Sequence, residues 1–124
     1  MKQISTNNAP AAIGPYSQGL RSGNMVFVSG QIPVDPATGM MVEGIEAQAK
    51  QALTNLKGVL AAAGLGMDKV IKTTVFLADL KDFPVVNGIY ETFFEAPYPA
   101  RSCVQVAGIP KGALVEIECI AIDE

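Results

Sequence analysis

The sequence predicts an α+β fold, a sheet with two helices packed on one of its faces. Three observations predict it. In two stretches apolar residues recur at three- and four-residue steps, as they do on the buried stripe of a helix. Around them lie runs of β-branched and aromatic residues with period-two alternation. The order along the chain is strands, helix, strand, helix, two strands, with no repeat, low-complexity segment or linker, so residues 1–124 are expected to form one domain.

The first strands come from GPYSQGLRSG and NMVFVSG. The former is turn-rich with a short extended piece, and the latter ends on Gly30, so residues 17–22 should pair with 25–29 in a hairpin. VDPATG at 34–39 combines Asp-Pro with Gly and reads as a loop. Between Glu43 and Leu65 the pattern turns helical, with Ile45, Ala49, Ala52, Leu53, Leu56, Val59, Leu60 and Ala63 on one stripe and Gly64 and Gly66 closing the end. KVIKTTVFL at 69–77 is a β-branched strand. A second helix is expected from Phe83 to Phe94, with Pro84 tolerated in its first turn, Asp79 or Asp82 near its start, and Pro97 and Pro99 beyond its end. Residues 101–108 and 114–122 are the last strands, joined through a turn at Pro110 and Gly112.

Composition narrows the function. The 124 residues are 49% hydrophobic, ample for a core. The formal charge is −3 and the nine basic residues are scattered, so neither nucleic acid nor an anionic membrane is an expected partner. No stretch approaches the ~20 apolar residues of a membrane span, and MKQISTNNAPAAIGP lacks the apolar segment of a secretory signal, so a cytoplasmic location is expected. There is no histidine, and Cys103 and Cys119 have no partners at metal-ligand spacing. No metal site, cofactor or disulfide is therefore expected. Cys119 alternates with Val115, Ile117 and Ala121 and reads as a buried thiol.

The chemistry concentrates in PARSCVQV at 99–106. Arg101, Cys103 and Gln105 alternate with Val104 and Val106, so an arginine heads a polar face. If the last two strands form a hairpin, that face also carries Glu116 and Glu118 and lies away from the helices. Leu114 and Ile120 fall on the same side, which favours a symmetric oligomer over bare exposure. Two readings of Arg101 stand. It pairs with Glu116 or Glu118, across the sheet or between subunits, or its guanidinium grips a substrate carboxylate in a partly dry cleft. Tyr16 in GPYSQ, Ser29 in VSGQ and Asn87 divide in the same way between turn, strand-end or solvated roles and a place in a site. GLGMDK at 64–69 follows a helix and lacks the spacing of a dinucleotide fingerprint.

GPYSQ at 14–18, VSGQIP at 28–33, NGIYETFF at 87–94, PARSCVQV at 99–106 and VEIECIA at 115–121 together resemble the Rid (YjgF) family, and within it the RidA subgroup. The resemblance runs along nearly the whole chain, and PARS followed by EIE is its most specific part. It implies a chorismate-mutase-like fold with a six-stranded mixed sheet and two helices on one face. It also implies a homotrimeric barrel with three clefts between subunits. The implied activity is hydrolytic deamination of the 2-enamine and 2-imine acids released by pyridoxal-phosphate-dependent dehydratases, giving 2-oxo acids and ammonium. Carried onto this sequence, Arg101 binds the substrate carboxylate with help from the backbone N–H of Cys103, Glu116 positions the attacking water, and Tyr16, Ser29 and Asn87 line the cleft. Family members without the arginine are not expected to be imine deaminases, and this chain keeps it. The alternative functions are a non-catalytic trimer that binds small carboxylates, a holdase chaperone, and a deaminase specialised to another catabolic pathway.

Overall fold

A computed structural model describes the chain from Met1 to Glu124. Six strands make one sheet: β1 (Lys2–Ile4), β2 (Gly19–Ser22), β3 (Met25–Gln31), β6 (Val70–Leu77), β7 (Ala100–Gln105) and β8 (Val115–Ile122). A two-residue pair, β4 (Val34–Asp35) and β5 (Met40–Met41), stands apart from it, and the helices are α1 (Ile45–Ala62) and α2 (Phe83–Glu91). The sheet order is β1-β2-β3-β8-β6-β7, antiparallel throughout except for the parallel pair β6–β7. It is therefore a mixed sheet.

The stripe read from the sequence is the buried face of α1. Ala49, Ala52, Leu53, Leu56, Val59 and Leu60 are fully buried and join one core cluster with Val26 and Val28 of β3 and Val115, Ile117, Cys119 and Ala121 of β8. The helix ends in a left-handed Gly64 at φ 78°. Its N–H donates to the Ala61 carbonyl and that of Leu65 to the Leu60 carbonyl, both at 2.9 Å, so two carbonyls at the helix end are satisfied. Pro84 sits in the first turn of α2, and Asp79 Oδ1 accepts from the Lys81 N–H at 2.9 Å just ahead of it. Buried amides tie loops to this core. Asn55 Nδ2 donates to the Ile32 and Val34 carbonyls at 3.1 and 2.9 Å, and Gln48 spans from the Val42 carbonyl to the Leu114 N–H.

Several expectations change. The expected hairpin is the β2–β3 pair, but β1 was not foreseen, and the 34–39 loop is closed by the small β4–β5 ladder. Both helices are shorter than the pattern suggested, with α2 stopping at Glu91. The largest correction concerns the last two strands, which do not pair with each other. The connection through α2 returns β7 parallel to β6, and the segment after Gln105 crosses the end of β6 to place β8 between β3 and β6. Two bonds mark that crossing: Val106 N–H to the Leu77 carbonyl at 2.9 Å, and Ala78 N–H to the Leu114 carbonyl at 3.0 Å.

This topology turns β7 over relative to the expectation. Arg101, Cys103 and Gln105 stand level with the buried Thr73, Val75 and Leu77, so they face the helices, while Ser102 and Val104 face the open side. Glu116 and Glu118 of β8 remain on the open side, level with Phe76 and Thr74. The polar face expected to be shared by Arg101 and the two glutamates therefore does not exist within one chain.

Asn55→Ala is expected to lower the unfolding free energy by about 1–3 kcal/mol, because it strands two carbonyls in the interior. Urea denaturation at fixed protein concentration measures this, and an unchanged midpoint would contradict the role given to Asn55.

Candidate active site

The guanidinium of Arg101 lies over two rings of α2. Its Cζ is 4.8 Å from the centre of Tyr90 and 5.3 Å from that of Phe83, and its Nη1 donates to Asn87 Oδ1 at 2.8 Å. Phe83, Asn87 and Tyr90 are spaced i, i+4, i+7, so one helix face supplies all three. No carboxylate in the chain pairs with Arg101; the ion pairs are Arg21–Asp123, Lys50–Glu46 and Lys81–Asp79. The intramolecular pairing with Glu116 or Glu118 is thus overturned. A cleft of about 440 Å³ opens beside the guanidinium, lined by Asn87, Tyr90, Glu91, Tyr98, Pro99 and Arg101.

Cys103 follows two residues later, with its side chain packed against the core. Burial pushes its thiol up, against the pull of Arg101, which leaves it a poor nucleophile near neutral pH. Its backbone is better placed. Val106 N–H points at β6, and the direction of N–H groups alternates along a strand, so the N–H groups of Arg101, Cys103 and Gln105 point to the unpaired outer edge of the sheet. Gln105 uses its side chain differently, with Oε1 accepting from the Leu80 N–H at 2.9 Å.

Ser29 and Glu116 meet at a second place. Between Val28 and Gln31 the register of β3 on β8 shifts, so Ser29 and Gly30 oppose Glu118 in a bulge. Ser29 Oγ donates to the Ser17 carbonyl at 2.6 Å and its N–H to the Gln18 carbonyl at 3.0 Å. Glu116 lies against Gly30: a Cβ on residue 30 would come within 2.7 Å of Glu116 Oε2. Burial raises the Glu116 carboxyl above its ordinary value, and the nearby Glu118 carboxylate adds to the rise. Tyr16 stands on a turn closed by its own N–H to the Gly14 carbonyl at 2.9 Å. Half exposed at 51%, it lines a cavity of about 680 Å³ that also reaches Gly30.

The sequence-predicted residues therefore fall into two sets. Asn87, Arg101 and Cys103 gather at the β7 edge, and Tyr16, Ser29 and Glu116 gather around the bulge. Arg101 is level with Thr73 and Glu116 with Phe76, which places the two sets about 10 Å apart along β6, at ~3.3 Å per residue, and on opposite faces of the sheet. One chain does not join them.

Residues 6–123 match the family described as Endoribonuclease L-PSP. The chain belongs to that family. Among its L-PSP relatives, the chain is 56% identical over 124 residues to the 2-iminobutanoate/2-iminopropanoate deaminase of Salmonella typhimurium, a match covering 98% of this chain and 97% of the relative. It is 52% identical to the mouse protein of the same name, over 98% of this chain and 90% of that one. Two solved structures superpose with a TM-score of 0.97 over the full length of both chains. They are Escherichia coli TdcF with bound serine, at 50% identity, and the Escherichia coli YjgF gene product, at 53%.

In this L-PSP chain, sequence reasoning missed Phe83, Tyr90 and Gly30 as neighbours of the site. The i, i+4, i+7 spacing around Asn87 was available as a signal for the two rings, whereas nothing local marks the approach of Glu116 to Gly30.

The raised Glu116 carboxyl has a consequence for stability. The folded state favours its protonated form, so its contribution is fully present below the ordinary carboxylate pKa and lost as pH rises through the higher folded value. Glu116→Gln is therefore expected to be more stable than wild type at neutral pH, with the gap closing below about pH 4.3. Thermal denaturation across that range checks this; a gap that widens toward acid would contradict it.

Proposed function

We propose that the chain hydrolyses small 2-imino acids, 2-iminobutanoate and 2-iminopropanoate among them, to 2-oxo acids and ammonium. The reading further holds that residues 1–124 act as one domain in the cytoplasm. That domain assembles as a chorismate-mutase-like homotrimer with its sites between subunits. The observation that carries the reading is Arg101, an arginine at the mouth of a cleft with no acidic partner in its own chain. Such a guanidinium suits a substrate carboxylate. The relatives named as deaminases support the reaction. The family description names an endoribonuclease, but a net charge of −3 and the absence of histidine favour a small carboxylate over an RNA backbone.

Two observations support a site shared between subunits. The two sets of residues lie on opposite faces of one sheet, so a neighbouring copy can complete each cleft. The open face also carries Phe27 and Val104, exposed at 42% and 43%, with Leu20, Phe76 and Ile120 beside them. An apolar sheet face of that kind is suited to burial against another copy.

The chemistry needs little from the protein. A protonated imine is already electrophilic, so positioning, a placed water and charge complementarity suffice. Arg101 and the Cys103 N–H hold the carboxylate at the β7 edge. Glu116 of the partner subunit accepts a proton from water as the water oxygen bonds to the imine carbon, giving a carbinolamine. It returns that proton to nitrogen, then takes the carbinolamine hydroxyl proton as the C–N bond breaks and the carbonyl forms, and the departing ammonia picks up that proton to leave as ammonium. A carboxyl raised by burial exchanges protons nearer neutral pH than an ordinary one.

A threonine dehydratase reaction with semicarbazide present tests this. Wild type should raise 2-oxobutanoate release above the trapped background, and Arg101→Ala should lose about 100-fold or more of that activity while sedimenting as a trimer like wild type. Wild type without effect, or only monomer at micromolar concentration, would overturn the reading. Gly30→Ala should displace the Glu116 carboxylate and lower kcat by about tenfold or more, with little loss of stability because the crowded atoms end a flexible side chain. A Gly30→Ala enzyme with full kcat would remove Glu116 from the proposed role.

A further inference from the structure

Arg101 is more tightly framed than a cleft-lining arginine needs to be, and the frame is built from residues with no role assigned so far. Tyr90 is 4% exposed, and its hydroxyl shares a buried 2.7 Å hydrogen bond with Thr73 Oγ1. Thr73 is the residue of β6 that stands directly beside Arg101 in the parallel ladder. Tyr90 also packs on Phe94, with ring centres 4.6 Å apart and tilted by 36°. The ring that Arg101 lies over is thus held by a hydrogen bond and a ring contact of its own. Phe83 supplies the other aromatic contact from one end of α2.

We infer that Phe83 and Tyr90, with Thr73 locking the Tyr90 ring, are positioning residues that hold the Arg101 guanidinium in the orientation that receives the substrate carboxylate. Aromatic faces attract a guanidinium through their quadrupole while competing for none of its N–H donors. Asn87 is the only side chain that takes one, at Nη1. The Nε–Nη2 edge therefore stays free, and that edge matches a carboxylate through two parallel hydrogen bonds. An acidic partner in place of the rings would have fixed the arginine equally well and consumed that edge. The device holds a cation without neutralising it.

The inference rests on the proposed imine hydrolysis, and the test separates the two. Tyr90→Phe, Tyr90→Leu, Phe83→Leu and Thr73→Val would be compared with wild type for kcat and KM on 2-iminobutanoate generated in situ. Each would also be titrated with 2-oxobutanoate by calorimetry, after sedimentation shows assembly. Tyr90→Leu should raise KM and the 2-oxobutanoate Kd by about tenfold, equivalent to about 1.4 kcal/mol, with kcat within about threefold. Tyr90→Phe keeps the aromatic face and should restore KM to within about twofold of wild type. Thr73→Val loses the same hydrogen bond as Tyr90→Phe but leaves the buried Tyr90 hydroxyl unpaired, so it should fall between them. Should Tyr90→Leu fail to assemble, Phe83→Leu, at the less buried ring, carries the same expectation of a raised KM. An assembled leucine variant with wild-type KM and Kd overturns the inference, as does a Tyr90→Phe enzyme as impaired as Tyr90→Leu, since the hydroxyl and not the ring would then matter. Wild type that neither turns over nor binds overturns the underlying function instead.

Discussion

The parallel ladder between β6 and β7 is the constraint on which the site depends. Two strands running the same way need a crossover, and α2 is that crossover, so the helix must lie over the strands it connects. Residues of β7 that share a face with Thr73 and Val75 then meet α2, and Arg101 is the first of them. The antiparallel alternative would have placed the arginine on the open face beside two glutamates, where an ion pair is the natural outcome. Direction of pairing alone separates an arginine framed by α2 beside a cleft from a surface salt bridge.

Much of this architecture was legible along the chain, because local periodicity reports which residues are buried. The α1 stripe, the β8 alternation that buries Cys119 and the β2–β3 hairpin all follow from side-chain spacing. What was not legible is pairing between distant segments. Pro110 and Gly112 do form a turn, and a turn between two strands suggests a hairpin. The bonds of Val106 and Ala78 to partners at the end of β6 and the start of β8, which open that hairpin, leave no mark on nearby sequence. The site shows the same division. Arg101 and Glu116 were recognisable as chemistry from a resemblance and their residue types, while their placement on opposite faces required the strand order.

The irregular segments hold their shape through buried side-chain amides. Gln18 accepts from the Thr6 N–H at 2.8 Å and donates to the Thr6, Ala9 and Pro10 carbonyls, which pins the N-terminal segment leading to Tyr16. Asn55 and Gln48 do the same for residues 32–34, Val42 and Leu114. Each amide supplies both a donor and an acceptor, so a loop without a strand partner still satisfies its backbone. No buried side-chain nitrogen or oxygen is left without a partner. The irregular segments on either side of β3, residues 6–18 and 32–34, are thus anchored by side-chain amides.

The outer edge of β7 has a further consequence. An edge strand with a row of unpaired N–H groups is also a template on which a foreign strand can grow. Pairing that edge within the fold would remove the hazard and the open donor row together. The chain keeps the edge and limits the hazard by other means: a strand of six residues, Pro97 and Pro99 ahead of it, Pro110 after it, and a positive charge near its start. Resistance to aggregation and retention of an open donor row thus pull against each other along one short segment, and substitutions that make β7 longer, flatter or more apolar will be felt first as loss of solubility.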